Sequence, residues 1–266
     1  MLPARRRSQM ALYIQQNGGV DTETLARHFG VSVMTARRDL KVLEEQNVLK
    51  ITWGGALPMN FLPREIPYAN KAAAMREAKK AIAAVAAGLV REESCIMLDA
   101  GTTTLELAER LCGRTLTVIT NDLQIALFLA SSPTVAVHFA GGWVDPVSRS
   151  CNDESTLEFL RRLNVTQAFI GASVWDASRG ATTSSTAKMR TKQRMLACAG
   201  EGVLLADSSK YGNFSPWTVA GLTEFSCIVT DSGLRDAARD AVAHSGAVLR
   251  VAPLFPGRET AEAGRR

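Results

Sequence analysis

The chain has 266 residues, 46% of them hydrophobic and 21% charged, which suits one large folded domain or a small one joined to a larger one. Its net charge of +5 at pH 7 is mild support for a polyanionic partner, and its longest apolar stretches, such as "AIAAVAAGLV", are too short to span a bilayer. The basic start lacks the cleavage site of a signal peptide, and five scattered cysteines (Cys95, Cys112, Cys151, Cys198, Cys227) without a CxxC pair fit reduced thiols in a cytoplasm and argue against a zinc site.

The opening segment "RRRSQMALYIQQNG" predicts a helix with Met10, Leu12, Tyr13 and Ile14 inward, closed by Gly18 and Gly19. "DTETLARHFG" predicts a short second helix, capped by Asp21 or Thr22 and ended by Gly30, with Leu25, Ala26 and Phe29 on one face. "SVMTARRDLKVLEEQN" predicts a third, with Ser32 as its N-cap. At roughly 100° per residue, Ala36, Leu40 and Leu43 form its inward stripe. Met34, Thr35, Arg38 and Lys41 then point away, with Arg37 on the flank. "VLKITWGGA" supplies a short β-branched run and a Gly-Gly turn, as a small wing requires.

Three short helices with a tight glycine turn before the third match the layout that places a recognition helix in the DNA major groove. There an arginine bonds guanine O6 and N7, and a threonine methyl meets a thymine methyl. An isolated Arg-Arg pair would read as a solvated helix face; the surrounding pattern reverses that. Residues 1–60 carry eight lysines and arginines against five acids. Candidate DNA contacts are Ser32, Met34, Thr35, Arg37, Arg38 and Lys41, with Lys50 and Trp53 on the wing reaching phosphates or the minor groove. The DNA-binding domain is expected over 1–57, its helix-turn-helix over about 21–45 and its wing over about 48–56.

A proline-rich linker over 58–70 holds Pro58, Pro63 and Pro67. From 71 to 252, strand-length apolar runs ("SCIMLDAG", "LTVITN", "VAVHFAGG", "TQAFIGAS", "GVLLADSS", "CIVTD", "AVLRVAP") alternate with helical patterns. This alternation predicts an α/β domain with a mostly parallel sheet covered on both faces. Residues 253–266 are expected to be a frayed polar tail.

"IMLDAGTTTLELAERL" is a strand, a glycine turn and a helix opening on three threonines. A helix N-terminus is a ready anion site: Gly101 admits close approach, and Thr102, Thr103 and Thr104 add hydroxyls. Ligands in open parallel sheets bind at the carboxyl ends of strands. Thr120 and Asn121, Gly141 and Gly142, and Asp207 with Lys210 all fall at such ends. Lys210 would neutralise a phosphate, and Asp99 and Asp207 would accept sugar hydroxyls. The Asp207–Lys210 pair also admits a purely structural ion-pair reading, and "GTTT" a plain capped turn.

The stretch "VDTETLARHFGVSVMTARRDLKVLEEQNVLKITWGGA" resembles the N-terminal signature of DeoR-type transcriptional regulators, with its VS-x-x-T-x-RRDL core and GGA wing. The motifs "DAGTTT", "VITN", "AGG", "AFIGA", "ADSSK" and "VTD" resemble that family's C-terminal domain, itself similar to ribose-5-phosphate isomerase. The resemblance implies a repressor of carbohydrate or polyol catabolic genes, released from double-stranded operator DNA by a phosphorylated sugar or polyol. It implies effector roles for Asp99, Gly101, Thr102, Thr103, Thr120, Asn121, Gly141, Gly142 and Lys210. Four positions depart. Ile51 and Trp53 stand where the family has arginine and histidine, Asp153 where it often has glycine, and Lys188 where glutamate is usual. Asp153 and Lys188 are therefore expected to adjust effector identity.

A sugar-phosphate isomerase with an accessory DNA-binding domain is the competing reading, with Asp207 and Lys210 as acid and base. An activator is a further alternative. No cofactor, metal or catalytic residue is expected. One winged domain reads few base pairs, so a homo-oligomer is expected, with no membrane association.

Overall fold

A computed structural model describes residues 2–17, 19–46, 48–58, 62 and 65–254. Gly18, Pro63 and most of the expected tail lie outside these. The chain divides into two compact units at Phe61–Leu62.

In the first unit, α1 (Pro3–Asn17), α2 (Thr22–Phe29) and α3 (Val33–Glu45) pack with a three-stranded sheet of β1 (Val20–Asp21), β3 (Gly55–Pro58) and β2 (Leu49–Thr52), in that spatial order. Met10, Ile14, Leu25, Ala36, Leu40, Leu43 and Leu49 form its core. Leu12 is 53% exposed, contrary to expectation, because its place on α1 turns it away from the Met10–Ile14 stripe. Asp21 is the cap of α2, its carboxylate accepting the Thr24 N–H at 2.7 Å. Gly30 ends that helix in the left-handed region at φ 62°, where a side chain would be strained. Sequence reasoning missed β1, a two-residue strand whose existence depends on pairing with β3.

The second unit opens with α4 (Tyr68–Ala73) and α5 (Arg76–Ala87). It continues through β4 (Cys95–Leu98), α6 (Thr102–Leu111), β5 (Leu116–Thr120), α7 (Leu123–Leu129) and β6 (Val135–Phe139). A short hairpin, β7 (Val144–Asp145) and β8 (Ser150–Cys151), leads to α8 (Glu154–Leu160) and β9 (Val165–Gly171). Then come β10 (Val174–Asp176), β11 (Gly180–Thr183), α9 (Thr186–Ala197), β12 (Ala199–Leu205), β13 (Trp217–Ala220), β14 (Cys227–Asp231), α10 (Asp236–His244) and β15 (Leu249–Ala252).

The seven expected apolar runs are the seven strands of one parallel sheet, in the order β15-β14-β12-β9-β4-β5-β6. Successive residues serve opposite faces. Ile96, Leu98, Val118, Phe169, Val203, Leu205 and Val229 pack in one core layer with residues of α5, α6 and α7. Met97, Ile119, Ala168, Ile170, Leu204 and Ile228 pack in the other with Leu160, Met195 and Val242. Burial on both sides explains why these strands read as unbroken hydrophobic runs.

The expected linker is divided. Pro58 ends β3, whereas Glu65 is half-buried against the second unit and residues 68–73 are the helix α4. The Tyr68 N–H donates to the Val147 carbonyl at 3.0 Å.

Candidate functional site

Helix α3 begins at Ser32, whose hydroxyl accepts the Thr35 N–H at 3.1 Å and shares a 2.9 Å hydrogen bond with the Thr35 hydroxyl. That cap holds the first turn open to solvent. Met34, Arg37, Arg38 and Lys41 are all exposed, and Thr35 is half-buried. Asp39 is buried on the opposite side, 2.6 Å from Arg6 and 3.7 Å from Arg7, so α1 braces the helix. Arg37 and Arg38 keep their guanidinium groups on the surface.

The wing is fixed at two points. The N–H and hydroxyl of Thr22 both donate to the Gly54 carbonyl, at 2.8 and 3.1 Å. The Ile51 N–H donates to Glu44 of α3 at 2.8 Å. Lys50 is exposed, and Trp53 is fully exposed at the turn.

In the second unit the chain runs from β4 outward to β5 and β6, then returns to β9 on the other side of β4. This reversal is the topological switch point, where an open α/β sheet leaves a crevice at its carboxyl edge. Asp99 follows β4 and Gly171 ends β9. Asp99 Oδ2 accepts the Gly171 N–H at 2.8 Å and the Lys192 ammonium, and Lys192 also donates to the Gly171 carbonyl at 2.9 Å. The pair is buried, so one oxygen of Asp99 is already engaged where a free hydroxyl acceptor was expected.

Helix α6 opens beside it. Gly101 N–H donates to Asp122 Oδ2 at 3.1 Å, while Asp122 Oδ1 caps α7 through the N–H groups of Gln124 and Ile125. Burial pushes the Asp122 carboxyl up to about 6, against the opposing pull of those N–H donors. Thr102 and Thr103 are buried at the first turn. The Thr104 hydroxyl donates back to the Gly101 carbonyl at 2.8 Å and is wholly buried, so it closes the turn and is not available to a ligand.

Thr120 and Asn121 are fully buried at the end of β5. Thr120 accepts the Asp122 N–H at 3.1 Å, and the Asn121 amide donates to the Cys151 carbonyl at 2.8 Å. Gly142, at φ 145°, faces Asp153, whose oxygens would stand 2.2 Å from a Cβ there. Asp153 caps α8 through the Thr156 N–H (3.1 Å) and holds the Trp143 N–H (2.8 Å); these bonds, Trp143 first, keep its carboxyl below the usual range. Gly141 is secured by its carbonyl, which accepts the Thr156 hydroxyl at 3.0 Å. Lys210 donates to the Ala172 carbonyl at 3.0 Å and stands 3.5 Å from Asp207. Asp207 also accepts the Ser209 hydroxyl.

Next to the α6 turn lies a cavity of about 310 Å³, bordered by Tyr68, Arg76, Lys79, Thr102 and Glu106. Lys79 is buried and donates to the carbonyls of Lys71 and Ala74. Its burial, and then the positive charge of Lys210, lower its pKa. The cavity thus brings together the Arg76 guanidinium, the Lys79 ammonium already given to two carbonyls, the first turn of α6 at Thr102, and the opposing carboxylate of Glu106. Sequence reasoning did not find Arg76, Lys79, Asp122 or Lys192. Lys192 carried no local cue, because it shares its face of α9 with Lys188 and Thr191 as well as the core residue Met195.

Residues 6–60 match the DeoR-like helix-turn-helix domain, and residues 74–232 match the DeoR C-terminal sensor domain. The chain is 37% identical to the HTH-type transcriptional regulator YgbI of Escherichia coli K12, covering 95% of this chain and 99% of that protein. It is 36% identical to the transcriptional repressor AccR of Agrobacterium fabrum, covering 79% of this chain and 83% of AccR. Ribose 5-phosphate isomerase A of Neisseria gonorrhoeae aligns with 51% of this chain and 53% of its own, at 18% identity and a TM-score of 0.37. Among the described residues no helix is long and apolar enough to cross a membrane. With both halves of the molecule matched in order and relatives aligned over nearly their full length, this chain belongs to the DeoR family of helix-turn-helix transcriptional regulators.

Proposed function

We propose that this chain is a cytoplasmic repressor of carbohydrate or polyol catabolic genes that leaves its operator when a phosphorylated sugar or polyol binds the second unit. The observation that carries the reading is the meeting of Arg76, Lys79 and the Thr102 end of α6 around one cavity, in a chain whose other unit exposes Arg37, Arg38 and Lys41 on a capped helix. A phosphate needs several donors at once, and this arrangement offers N–H, hydroxyl and ammonium groups together. The protein acts as a homo-oligomer, since one recognition helix covers too few base pairs for tight specific binding. It does not turn over its ligand: the relatives are regulators, and Asp99 and Asp207 are both held in contacts with neighbouring lysines.

The test is thermal stabilisation by phosphorylated and free sugars. Ligand at about a hundred times its dissociation constant stabilises the fold by roughly 2.7 kcal/mol. Thr102→Val is expected to lose most of that, with ribose 5-phosphate recovered unchanged after incubation. Equal stabilisation by the free sugar, or an unaffected variant, would overturn the phosphate-site assignment.

A further inference from the structure

The segment entering the second unit is strapped across the carboxyl edge of its sheet. Leu62 N–H donates to the Phe214 carbonyl at 2.8 Å, and the Ser215 hydroxyl donates to the Leu62 carbonyl at 2.6 Å. Glu65 meets the ammonium groups of Lys71 at 2.6 Å and Lys188 at 3.1 Å, and accepts the Ser184 hydroxyl at 3.3 Å. Tyr68 is tied to Val147. Val147, Ser184 and the Phe214–Ser215 pair sit on excursions that follow β6, β9 and β12, so all three leave the edge that carries the crevice.

The charges here are unusual. Lys188 is buried on α9, one turn before the Lys192 that holds Asp99, and Asp145 stands 4.0 Å away. Lys71 lends its carbonyl to Lys79 of the phosphate cavity. Burial lowers the pKa of Lys188, Glu65 restores part of it, and Lys71 and Lys192 oppose it. The buried Lys188 and the half-buried Lys71 are stabilised by an anion between them. Glu65 supplies one: burial would raise its carboxyl, but Lys188 and Lys71 outweigh that and hold it at about 2.

We propose that Lys71, Lys188 and Ser184 form a carboxylate subsite beside the phosphate cavity, filled in this structure by Glu65, and that the carboxylate of a phosphorylated sugar acid replaces Glu65 there. The inference rests on the phosphate-site reading above. Two ammonium groups and one hydroxyl directed at two oxygens suit a carboxylate, and exchanging one carboxylate for another leaves the buried charge balanced. A hydroxymethyl group in the same place would leave half-buried Lys71 without its carboxylate and buried Lys188 with only the more distant Asp145, so a polyol phosphate leaves Glu65 where it is. Occupancy is exclusive: when the acid enters, Glu65 leaves and the strap leading to the DNA-binding unit loses its charged anchor, keeping the backbone ties at Leu62 and Tyr68. Lys188 thereby sets the effector class.

The experiment compares acid and polyol partners on the full-length protein by calorimetry: glycerate 3-phosphate with glycerol 3-phosphate, ribonate 5-phosphate with ribitol 5-phosphate, and gluconate 6-phosphate with sorbitol 6-phosphate. At least one acid is expected to bind about tenfold or more tightly than its polyol partner. Lys188→Gln erases that preference, and Glu65→Gln, which removes the internal competitor, tightens acid binding. The double variant Glu65→Gln/Lys188→Gln keeps the charge balance and binds the polyol phosphate as wild type does, which shows that the fold is intact. Amide hydrogen exchange at residues 65–68 is expected to accelerate with the acid and not with the polyol. Equal affinities within every pair, a preference that survives Lys188→Gln, or unchanged exchange at the strap would overturn the subsite while the phosphate-site reading stands. Failure of all six phosphates to bind would instead remove that reading, and the subsite with it.

Discussion

At the scale of single residues, exposure separates the side chains proposed to read DNA from those that hold the fold. Arg38 projects from the outer face of α3, opposite the buried Ala36–Leu40–Leu43 stripe, whereas Asp39 beside it is locked to Arg6. Arg38→Ala is therefore expected to leave the unfolding free energy nearly unchanged and to weaken operator-specific binding by about 1–3 kcal/mol. A gel-shift assay in which only nonspecific binding falls would reassign Arg38 to a phosphate. Asp122 and Glu65 make opposite predictions for acid stability. The folded chain raises Asp122 from an ordinary value of 3.8 to about 6, so the folded state binds that proton more tightly. Its contribution is complete below about pH 4 and is lost as pH rises through 6, about 3 kcal/mol in all. Glu65 is held at about 2 against an ordinary 4.5, so its contribution is complete above about pH 4.5 and is lost as pH falls toward 2. Urea titrations between pH 3 and 8 should show Asp122→Asn flattening the fall in stability between pH 4 and 6. An unchanged slope in that variant would mean another group carries it.

At the scale of elements, the loop after β6 shows how a side chain and a glycine divide one space. Asp153 fills the space over Gly142 while capping α8 and holding the Trp143 N–H. Gly142→Ala meets both a positive φ and that carboxylate, so a loss of more than about 1 kcal/mol is expected. In Asp153→Gly the cap is lost, at about 1 kcal/mol, but the obstruction goes too. The double variant should therefore lose less than the sum of the single losses, measured by urea denaturation. Strict additivity would show that the two residues do not share the space.

The parts of the fold written in local pattern were legible from sequence. The seven strands were visible because each is buried on both faces, and the caps at Ser32 and Gly30 because their chemistry is local. The hairpin β7–β8 and the strands β10, β11 and β13 were not, because two to four residues carry no period and are set by distant partners. The same reason hid Lys79 and Lys192. A lysine in a helical pattern reads as solvent-facing, and Asp99, 93 residues away, with the Gly171 carbonyl, keeps Lys192 inside. Candidates at strand ends can be named from sequence because parallel topology brings every carboxyl end to one edge. What those residues bond to depends on side chains that no local window contains.

At the scale of the whole molecule, the proposed repressor must couple two ligands that bind different units. An effector that binds DNA-bound and DNA-free protein equally well cannot move the operator equilibrium, however tightly it binds. Leu62 and Glu65–Pro67 belong to the segment by which the chain enters the second unit, and their contacts lie at the carboxyl edge of its sheet, where the effector is proposed to bind. If the effector lowers operator affinity by some factor, the operator must lower effector affinity by the same factor, because both describe one coupling free energy of about 1–3 kcal/mol. The expected result is a fall of about 5–150-fold in operator binding at saturating effector, measured by fluorescence anisotropy, matched by an equal fall in effector affinity for the preformed operator complex, measured by calorimetry. Glu65→Gln, which unfastens the strap without touching α3, should shrink both factors together. Factors left unchanged in Glu65→Gln would show that the coupling does not run through the strap.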